Sequence, residues 1–527
     1  MTIDAETDPF EYGKTIAPFC WGAYWITEHC EKKYVDFWGD HCTEQLLDFL
    51  EDMPPCLIYA HNGGKFDFIF LLSALSEPFI IGSRIVKAKL GKHEIRDSFS
   101  IIPVALAAYQ KDEIDYSQFV EAKREAYRNE ILAYLATDCE YLYQLVFKFR
   151  EQFGDQLTIA STAIKALSAL HPVVKMDRYN DNIFRPYYLG GRVEYFETGK
   201  LTGDFKVYDV NSMYPHAMAN YDHPFGDWLH TKDLDRALAD GKVFFVEANV
   251  TSNGFGRRTK LGLDWGPFTG QMNLCSHELI PALARGEIRI NQMNNILYYP
   301  EAIRFTEFVN HWSKLKIAAQ ENKDIAARLF AKLITNSAYG KFAQDPQKFK
   351  EYAIHLGDAI PDDCALWELY EDFETGSIWR KPSPAIHGYY NVAIGASITS
   401  ASRAVLSEAL SQCDRPVYCD TDSIICEQLH ADLHESKLGA WKTEGKGDTL
   451  YIAGKKMYAL FDSGECVKMA SKGARLSGDE IAKIALGETF MYRQDAPVMK
   501  MNGSQKSLAR EIKANFKERE IVRDFFV

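Results

Sequence analysis

No CxxC pair occurs among the 11 cysteines of this 527-residue chain, which excludes zinc ribbons and thioredoxin-type redox centres. Scattered thiols fit a reducing compartment. Long apolar runs are missing too. FDFIFLLSAL, among the longest, falls far short of the roughly 20 residues a spanning helix needs, so no membrane partner is expected. There is no repeat period and no low-complexity tract. The opening MTIDAETDPF has neither the basic stretch nor the apolar core of a signal peptide, which predicts a cytoplasmic protein. An excess of basic residues is also lacking: 60 Lys+Arg stand against 73 Asp+Glu, a net charge of −13. That balance argues against a general nucleic-acid coat. What is present, 46% hydrophobic and 25% charged residues, is the composition of a folded globular protein. At about 150 residues per domain the length predicts three or four domains.

The first ~150 residues alternate strands and helices. TIDAET reads as a strand, CLIYAHN (56–62) as a strand whose chain bends at Gly63-Gly64, and FDFIFLLSAL as a buried helix. Residues 128–150 carry Ile131, Leu135, Leu142 and Val146 at helical spacing. Residues 155–200 read as a connecting stretch. FKVYDVNSMYP reads as a strand turning at Pro215, and 225–310 as an inserted β-rich segment. The spacing predicts one long amphipathic helix over 311–342, a second insertion over 345–388, a helix over 398–413 and a strand–turn–strand hairpin over 415–426. Short strands and a final helix are expected over 460–527.

Four acids stand out near the N-terminus. Asp4 and Glu6, two apart on a strand, face the same side. Asp67 follows an N-x-x-x-F turn at a helix start. Asp138 lies four residues after Tyr134 on the 128–150 helix, so the two share a face. Carboxylates converging from separate elements are what two Mg²⁺ ions, about 4 Å apart, need to activate water against a phosphodiester. Surface acids are usually only solvated, so the weight lies on the ordered set.

These residues resemble the three exonuclease motifs of family B DNA polymerases, which implies an RNase-H-like 3′→5′ proofreading domain. The resemblance implies a catalytic role for Lys111 in KDEIDY, beside Asp4, Glu6, Asp67, Asp138 and Tyr134. It also implies single-strand contacts at Tyr116, Thr7, Tyr59, His61, Asn62, Phe66 and Ser98, whose rings and amides suit unpaired bases. Two departures are visible: the loop after His61-Asn62 is one residue longer than in some relatives, and little strand precedes Asp4.

Three further motifs follow in order. YDVNSMYP carries Asp209, KLITNSAYG carries Lys332, Asn336, Tyr339 and Gly340, and YCDTDS carries Asp420 and Asp422. A strand-borne Asp209 and a hairpin bearing Asp420 and Asp422 can meet at two Mg²⁺ ions holding a triphosphate and a primer 3′-oxygen. Lys332, Asn336, Tyr339 and Gly340 fall on one helical stripe. Lys332 would neutralise the triphosphate, and Asn336 and Tyr339 would flank the nascent base pair. DTDS alone reads equally well as a plain Asp-Thr turn; the ordered trio does not. It resembles motifs A, B and C of family B polymerases, and the likeness runs from Asp4 to about Tyr458. The resemblance adds Val210 to the metal set and Tyr214 as a steric gate against ribose. It adds Tyr188, Gly190 and Gly191 as the Y-x-G-G segment, and Lys456 and Tyr458 as the K-x-Y grip on the primer.

Long gaps between the motifs resemble the protein-primed subgroup, the tectivirus type of phage in particular. The implied fold is a multidomain α/β protein, with the exonuclease domain over 1–155 and a right-hand polymerase over 156–527. Palm is expected at about 186–240 and 388–458, insertion 1 at 240–310, fingers at 311–345, insertion 2 at 346–388 and thumb at 459–527. The implied cofactors are Mg²⁺ or Mn²⁺, two ions per active site. The implied partners are primer-template and single-stranded DNA, dNTPs, a terminal protein supplying the priming hydroxyl and a single-stranded DNA-binding protein. Strand displacement follows from the same likeness, as does the cytoplasm of a host bacterium. The same motifs leave open a primer-independent polymerase of a mobile element, and a retired nucleic-acid-binding protein. The acidity is unevenly spread: the first 60 residues carry −9, whereas 310–350 and 437–527 each carry +5. Basic groups thus concentrate where a duplex would run.

Overall fold

A computed structural model describes residues 1–109, 112–260, 262–383 and 390–515. Its N-terminal sheet has seven strands, in the order Lys32–Trp38, Pro18–Ile26, Thr2–Thr7, Leu57–Ala60, His93–Asp97, Arg84–Leu90, Leu75–Ile81. The first three pair antiparallel, and Thr2–Thr7, Leu57–Ala60 and His93–Asp97 run parallel. Alternation along Thr2–Thr7 sends Ile3 and Ala5 into a core with Leu46 and Leu50 of helix Cys42–Asp52. The even residues face the other way, and Thr2 Oγ1 donates to the Cys139 carbonyl of helix Arg128–Phe153 at 2.8 Å. Asp4 and Glu6 therefore look toward the helix that carries Asp138.

The predicted helix FDFIFLLSAL is reduced to a single turn, Asp67–Phe70, followed by a short 3-10 turn and the strand Leu75–Ile81. Pro78, which has no N–H, suits that run better than a helix, and Glu77 at φ 48° marks the bulge where the strand's pairing shifts between Ser76 and Phe79. The bend after Leu57–Ala60 is made by Asn62 at φ 65°, not by the two glycines. They permit close packing instead: a Cβ on Gly64 would meet the Ile85 carbonyl oxygen at 2.0 Å. The supposed connector over 155–200 holds two helices, Ile159–Ser168 and Arg178–Phe184. The first opens on a reciprocal Thr158–Ser161 cap.

A second seven-stranded sheet, antiparallel throughout, forms the palm. Its order is Glu465–Ser471, Met457–Asp462, Trp441–Gly454, Gly199–Val210, Ser423–Cys426, Tyr418–Asp420, Val193–Tyr195. Helix Val392–Ser411 covers one face, with Leu406 and Ala409 packed on Tyr208, Val210 and Ile424. The turn after Gly199–Val210 is made by Ser212 at φ 56°, so Pro215 does not turn the chain. It sits in the first turn of helix Met213–Asn220, where a missing N–H costs nothing.

The long helix expected over 311–342 is two antiparallel helices, Thr306–Glu321 and Ile325–Phe342. Lys323 at φ 57° breaks them, and the Asp324 carboxylate caps the second by accepting from Ala327 N–H. Phe330 packs edge-on against Phe149, joining these fingers to the N-terminal domain in one core.

The segment expected as the first insertion holds a four-stranded sheet that reaches back beyond its expected start, in the order Leu229–Thr231, Ile288–Tyr299, Val243–Ser252, Phe268–Cys275. The second is a three-stranded sheet over Lys350–Leu356, Gly376–Pro382 and Glu368–Phe373, whose Ile378 enters the N-terminal core. Helix Gly478–Ala485 and the hairpin Phe490–Met499/Gln505–Ile512 follow. No final helix forms through residue 515; the rest of that expectation lies outside the described residues. Among the described residues no helix is long and apolar enough to cross a membrane.

Candidate active sites

The N-terminal acids meet in a cleft of about 550 Å³. Asp4, Glu6, Asp67 and Asp138 line it together with Tyr134, Tyr116, His61, Asn62 and Phe66. Tyr134 and Tyr116 meet hydroxyl to hydroxyl at 3.1 Å. Asp67 is buried, and its Oδ1 has no hydrogen-bond partner among the described residues. Burial first, then the charges of Asp4 and Asp97, push its carboxyl well above the usual range.

Three expected DNA contacts do not line this cleft. Tyr59 is buried under helix Arg128–Phe153 beside Val146 and Phe149, on the same face of the sheet as Asp4 and Glu6 but away from the cleft. Ser98 is buried and holds His61 through Nδ1 at 3.0 Å, and Thr7 is likewise buried. Lys111 lies outside the described residues. One wall could not be read from the motifs: Gln494, Pro497, Val498 and Met499 of the C-terminal hairpin close the cleft. The Gln505 amide docks that hairpin, accepting from Ile16 N–H at 2.7 Å and donating to its carbonyl at 2.6 Å.

In the palm, Asp209 ends strand Gly199–Val210 and pairs in register with Ser423. Thr421 at φ 61° makes the turn between Asp420 and Asp422, and Val210 N–H donates to the Asp422 carbonyl at 2.8 Å. Burial, followed by repulsion from Asp422 and Glu444, raises the Asp209 carboxyl to about 7. Burial and Asp420 raise Asp422 as well. Lys456, in the left-handed region at φ 59°, places its ammonium 2.5 and 2.6 Å from the two Asp420 oxygens. Among the described residues no three His, Cys, Asp or Glu side chains stand close enough to close on one metal ion as they are. Tyr458 is buried against Tyr418 rather than presented at the surface.

The Y-x-G-G segment lies on this turn. Thr421 N–H donates to the Arg192 carbonyl at 2.7 Å, and a Cβ on Gly191 would lie 2.6–2.9 Å from Thr421. Gly190 has open space around it. The Tyr188 carbonyl accepts from Arg258 of the first insertion. Buried Arg403 forks onto Glu278 at 2.7 and 2.8 Å and donates to the Leu189 and Gly190 carbonyls. Sequence reasoning missed that pair, as it did Lys442 and Glu444, which flank Asp209. The K-x-E alternation of a strand was the available signal.

On the fingers, Lys332, Asn336 and Gly340 are exposed along one stripe, opposite buried Ala331, Ile334, Thr335 and Ala338. Tyr339 stacks on Tyr214 with ring centroids 3.8 Å apart and planes 17° apart. Lys316 sits among cations: burial, then Lys332, Arg328 and Lys442, lowers its ammonium.

The model of DNA polymerase type B, organellar and viral, matches residues 108–425. The chain belongs to the family B DNA polymerases. It is 39% identical to the DNA-directed DNA polymerase of Enterobacteria phage PRD1, over 97% of each chain. A DNA polymerase of Kluyveromyces lactis is 22% identical, over 88% of this chain and 58% of that one. Phi29 DNA polymerase, solved with primer-template DNA and incoming nucleotides, shares the fold with a TM-score of 0.73 at 17% identity. That match covers 98% of this chain and all of the other. This polymerase thus has the fold of an exonuclease domain ahead of palm, fingers and thumb, and it is a DNA-directed DNA polymerase of family B.

Proposed function

We propose that this polymerase elongates a primer hydroxyl at the Asp209/Asp420/Asp422 site and removes unpaired 3′ nucleotides in the Asp4/Glu6/Asp67/Asp138 cleft. The observation that carries the reading is the separation of the acids into two sets. The N-terminal set comes from one strand and two helices beside the first sheet, the other from strand ends and a turn of the second sheet, and the thumb hairpin lies against the first set. Divalent cations suit both sets. A buried Asp67 oxygen without a hydrogen-bond partner and the mutually repelling Asp209 and Asp422 are sites where a cation relieves a cost. Mg²⁺ or Mn²⁺, two ions per site, would be held by Asp209, Val210, Asp420 and Asp422, and by the four N-terminal acids. Such ions activate the attacking oxygen and offset charge on the phosphate.

The chain's own groups do the rest. Lys332, Lys316 and Arg328 draw the triphosphate to the fingers. The stacked Tyr214 and Tyr339 form a flat floor that admits a deoxyribose and leaves no room for a 2′-hydroxyl. Arg403 holds the Y-x-G-G carbonyls, so the loop above Thr421 stays in place. The primer hydroxyl is assigned to a terminal protein that docks on the first insertion. Strand displacement is assigned to the second insertion, and the setting to a bacterial host cytoplasm with a single-stranded DNA-binding protein at hand. Phi29 polymerase has been solved in complexes with primer-template and with single-stranded DNA, and the same ligands are assigned here.

Separation of function tests the two sites. Asp209→Ala or Asp420→Ala should abolish incorporation and keep single-strand degradation, while Asp4→Ala with Asp67→Ala should do the reverse. Loss of both activities in a folded variant would refute the assignment. Covalent nucleotide transfer to a candidate terminal protein from the same genome tests the priming; unprimed product from template, Mg²⁺ and dNTPs alone would favour the mobile-element alternative.

A further inference from the structure

Arg84 occupies an unusual place beside the exonuclease cleft. It opens strand Arg84–Leu90, and its side chain is only 15% exposed. One arm of the guanidinium donates to Asn62 Oδ1 at 2.9 Å, and the other pairs with the fully buried Asp97. Beneath it, the Phe99 ring centroid lies 4.6 Å from the guanidinium carbon, and the same ring touches His61 at 5.7 Å. Asp97 in turn accepts from Phe99 N–H at 2.9 Å. The 62–67 turn, with Asn62, Phe66 and Asp67, is thereby joined to the Asp97–Ser100 turn through one cation. Asn62 lines the cleft in the left-handed conformation. With its oxygen taken by Arg84, the amide has only its NH₂ end left to offer.

We infer that Arg84 is a positioning residue for proofreading: it fixes the Asn62 amide so that two N–H donors meet a phosphate or base oxygen of the frayed 3′ strand. The inference rests on the exonuclease reading of this cleft. A planar fork is required, since a lysine can satisfy Asp97 but cannot reach Asn62 as well. Arg84 stands behind Asn62 and does not itself line the cleft, so its loss should weaken strand binding and spare the chemical step.

The test is steady-state degradation of single-stranded DNA by the full chain, with primed-template extension and thermal melting as controls. Arg84→Lys should raise KM about tenfold, the effect of one mispositioned hydrogen-bonding group, with kcat within about twofold and extension unchanged. Asn62→Asp keeps an acceptor for Arg84 but removes the N–H donors, and it should raise KM at least as much. Combining Arg84→Lys with Asn62→Ala should raise KM no more than either change alone, because both act through one amide. Unchanged KM in Asn62→Asp, multiplicative effects in the double variant, or a fall in kcat with KM constant would each overturn the inference. Absence of degradation by the wild-type chain would instead sink the exonuclease reading itself.

Discussion

Asp209 is held under tension in the metal-free protein, and Asp209→Asn should release it. Its carboxyl stands at about 7 against an ordinary 3.8 because it is buried beside Asp422 and Glu444. Three units correspond to about 4 kcal/mol at 1.36 kcal/mol each. The side chain keeps 24% exposure, and solvent screening brings the expectation to roughly 2–4 kcal/mol. The folded protein keeps the Asp209 proton up to about pH 7, whereas the unfolded chain loses it near 3.8. Stability is therefore fully present below about pH 4 and is lost as pH rises through about 7. Asparagine carries no such dependence. In EDTA at pH 8, Asp209→Asn should thus unfold at higher denaturant than wild type, and the gap should shrink steadily toward pH 4. Added Mg²⁺ should narrow the gap at pH 8 by stabilising only the wild type, and incorporation should be absent from the variant throughout. A variant no more stable than wild type at pH 8, or one whose advantage ignores pH, would refute the account of Asp209 as a buried, repelled carboxylate.

Two other perturbations follow from the Y-x-G-G segment. Arg403→Met leaves Glu278 buried without its partner, which should cost about 3–5 kcal/mol and, in the protein that still folds, shift primer ends toward degradation; an unchanged denaturation midpoint would contradict it. Gly191→Ala would drive a Cβ to 2.6–2.9 Å from Thr421, so the catalytic turn must move. Incorporation should fall at least tenfold with exonuclease activity intact, and normal incorporation would show that the turn tolerates displacement.

Local pattern carried a good deal. Strand Thr2–Thr7 with its two-residue alternation, helix Arg128–Phe153 and the hairpin around Asp420 were all legible, because a period of 2 or 3.6 is written into neighbouring residues. Where the reading failed, a short-range signal was overridden or overlooked. FDFIFLLSAL is uniformly apolar, so periodicity could not tell a single turn plus strand from a helix. The break at Asn322–Asp324 hung on one left-handed lysine and one capping aspartate inside an otherwise continuous apolar stripe. Thr158 and Ser161 marked a helix start in a stretch taken for a connector. Tyr59 has the residue type of a DNA contact, yet its place on the strand turns it into the core.

Which acids exist, their order, and which pairs share a strand or helix face were settled by the sequence alone, since those facts depend on covalent spacing. Tertiary structure decided which partners each acid meets. Lys456 lies on Asp420 across 36 positions, Arg403 reaches the Leu189 carbonyl across 214, and Gln505 clips Ile16 across 489. No local periodicity encodes such contacts. They form only when separate sheets, each burying its own apolar face, bring their edges together, and the burial that results there is what lifts Asp209 and Asp67 from ordinary carboxylates.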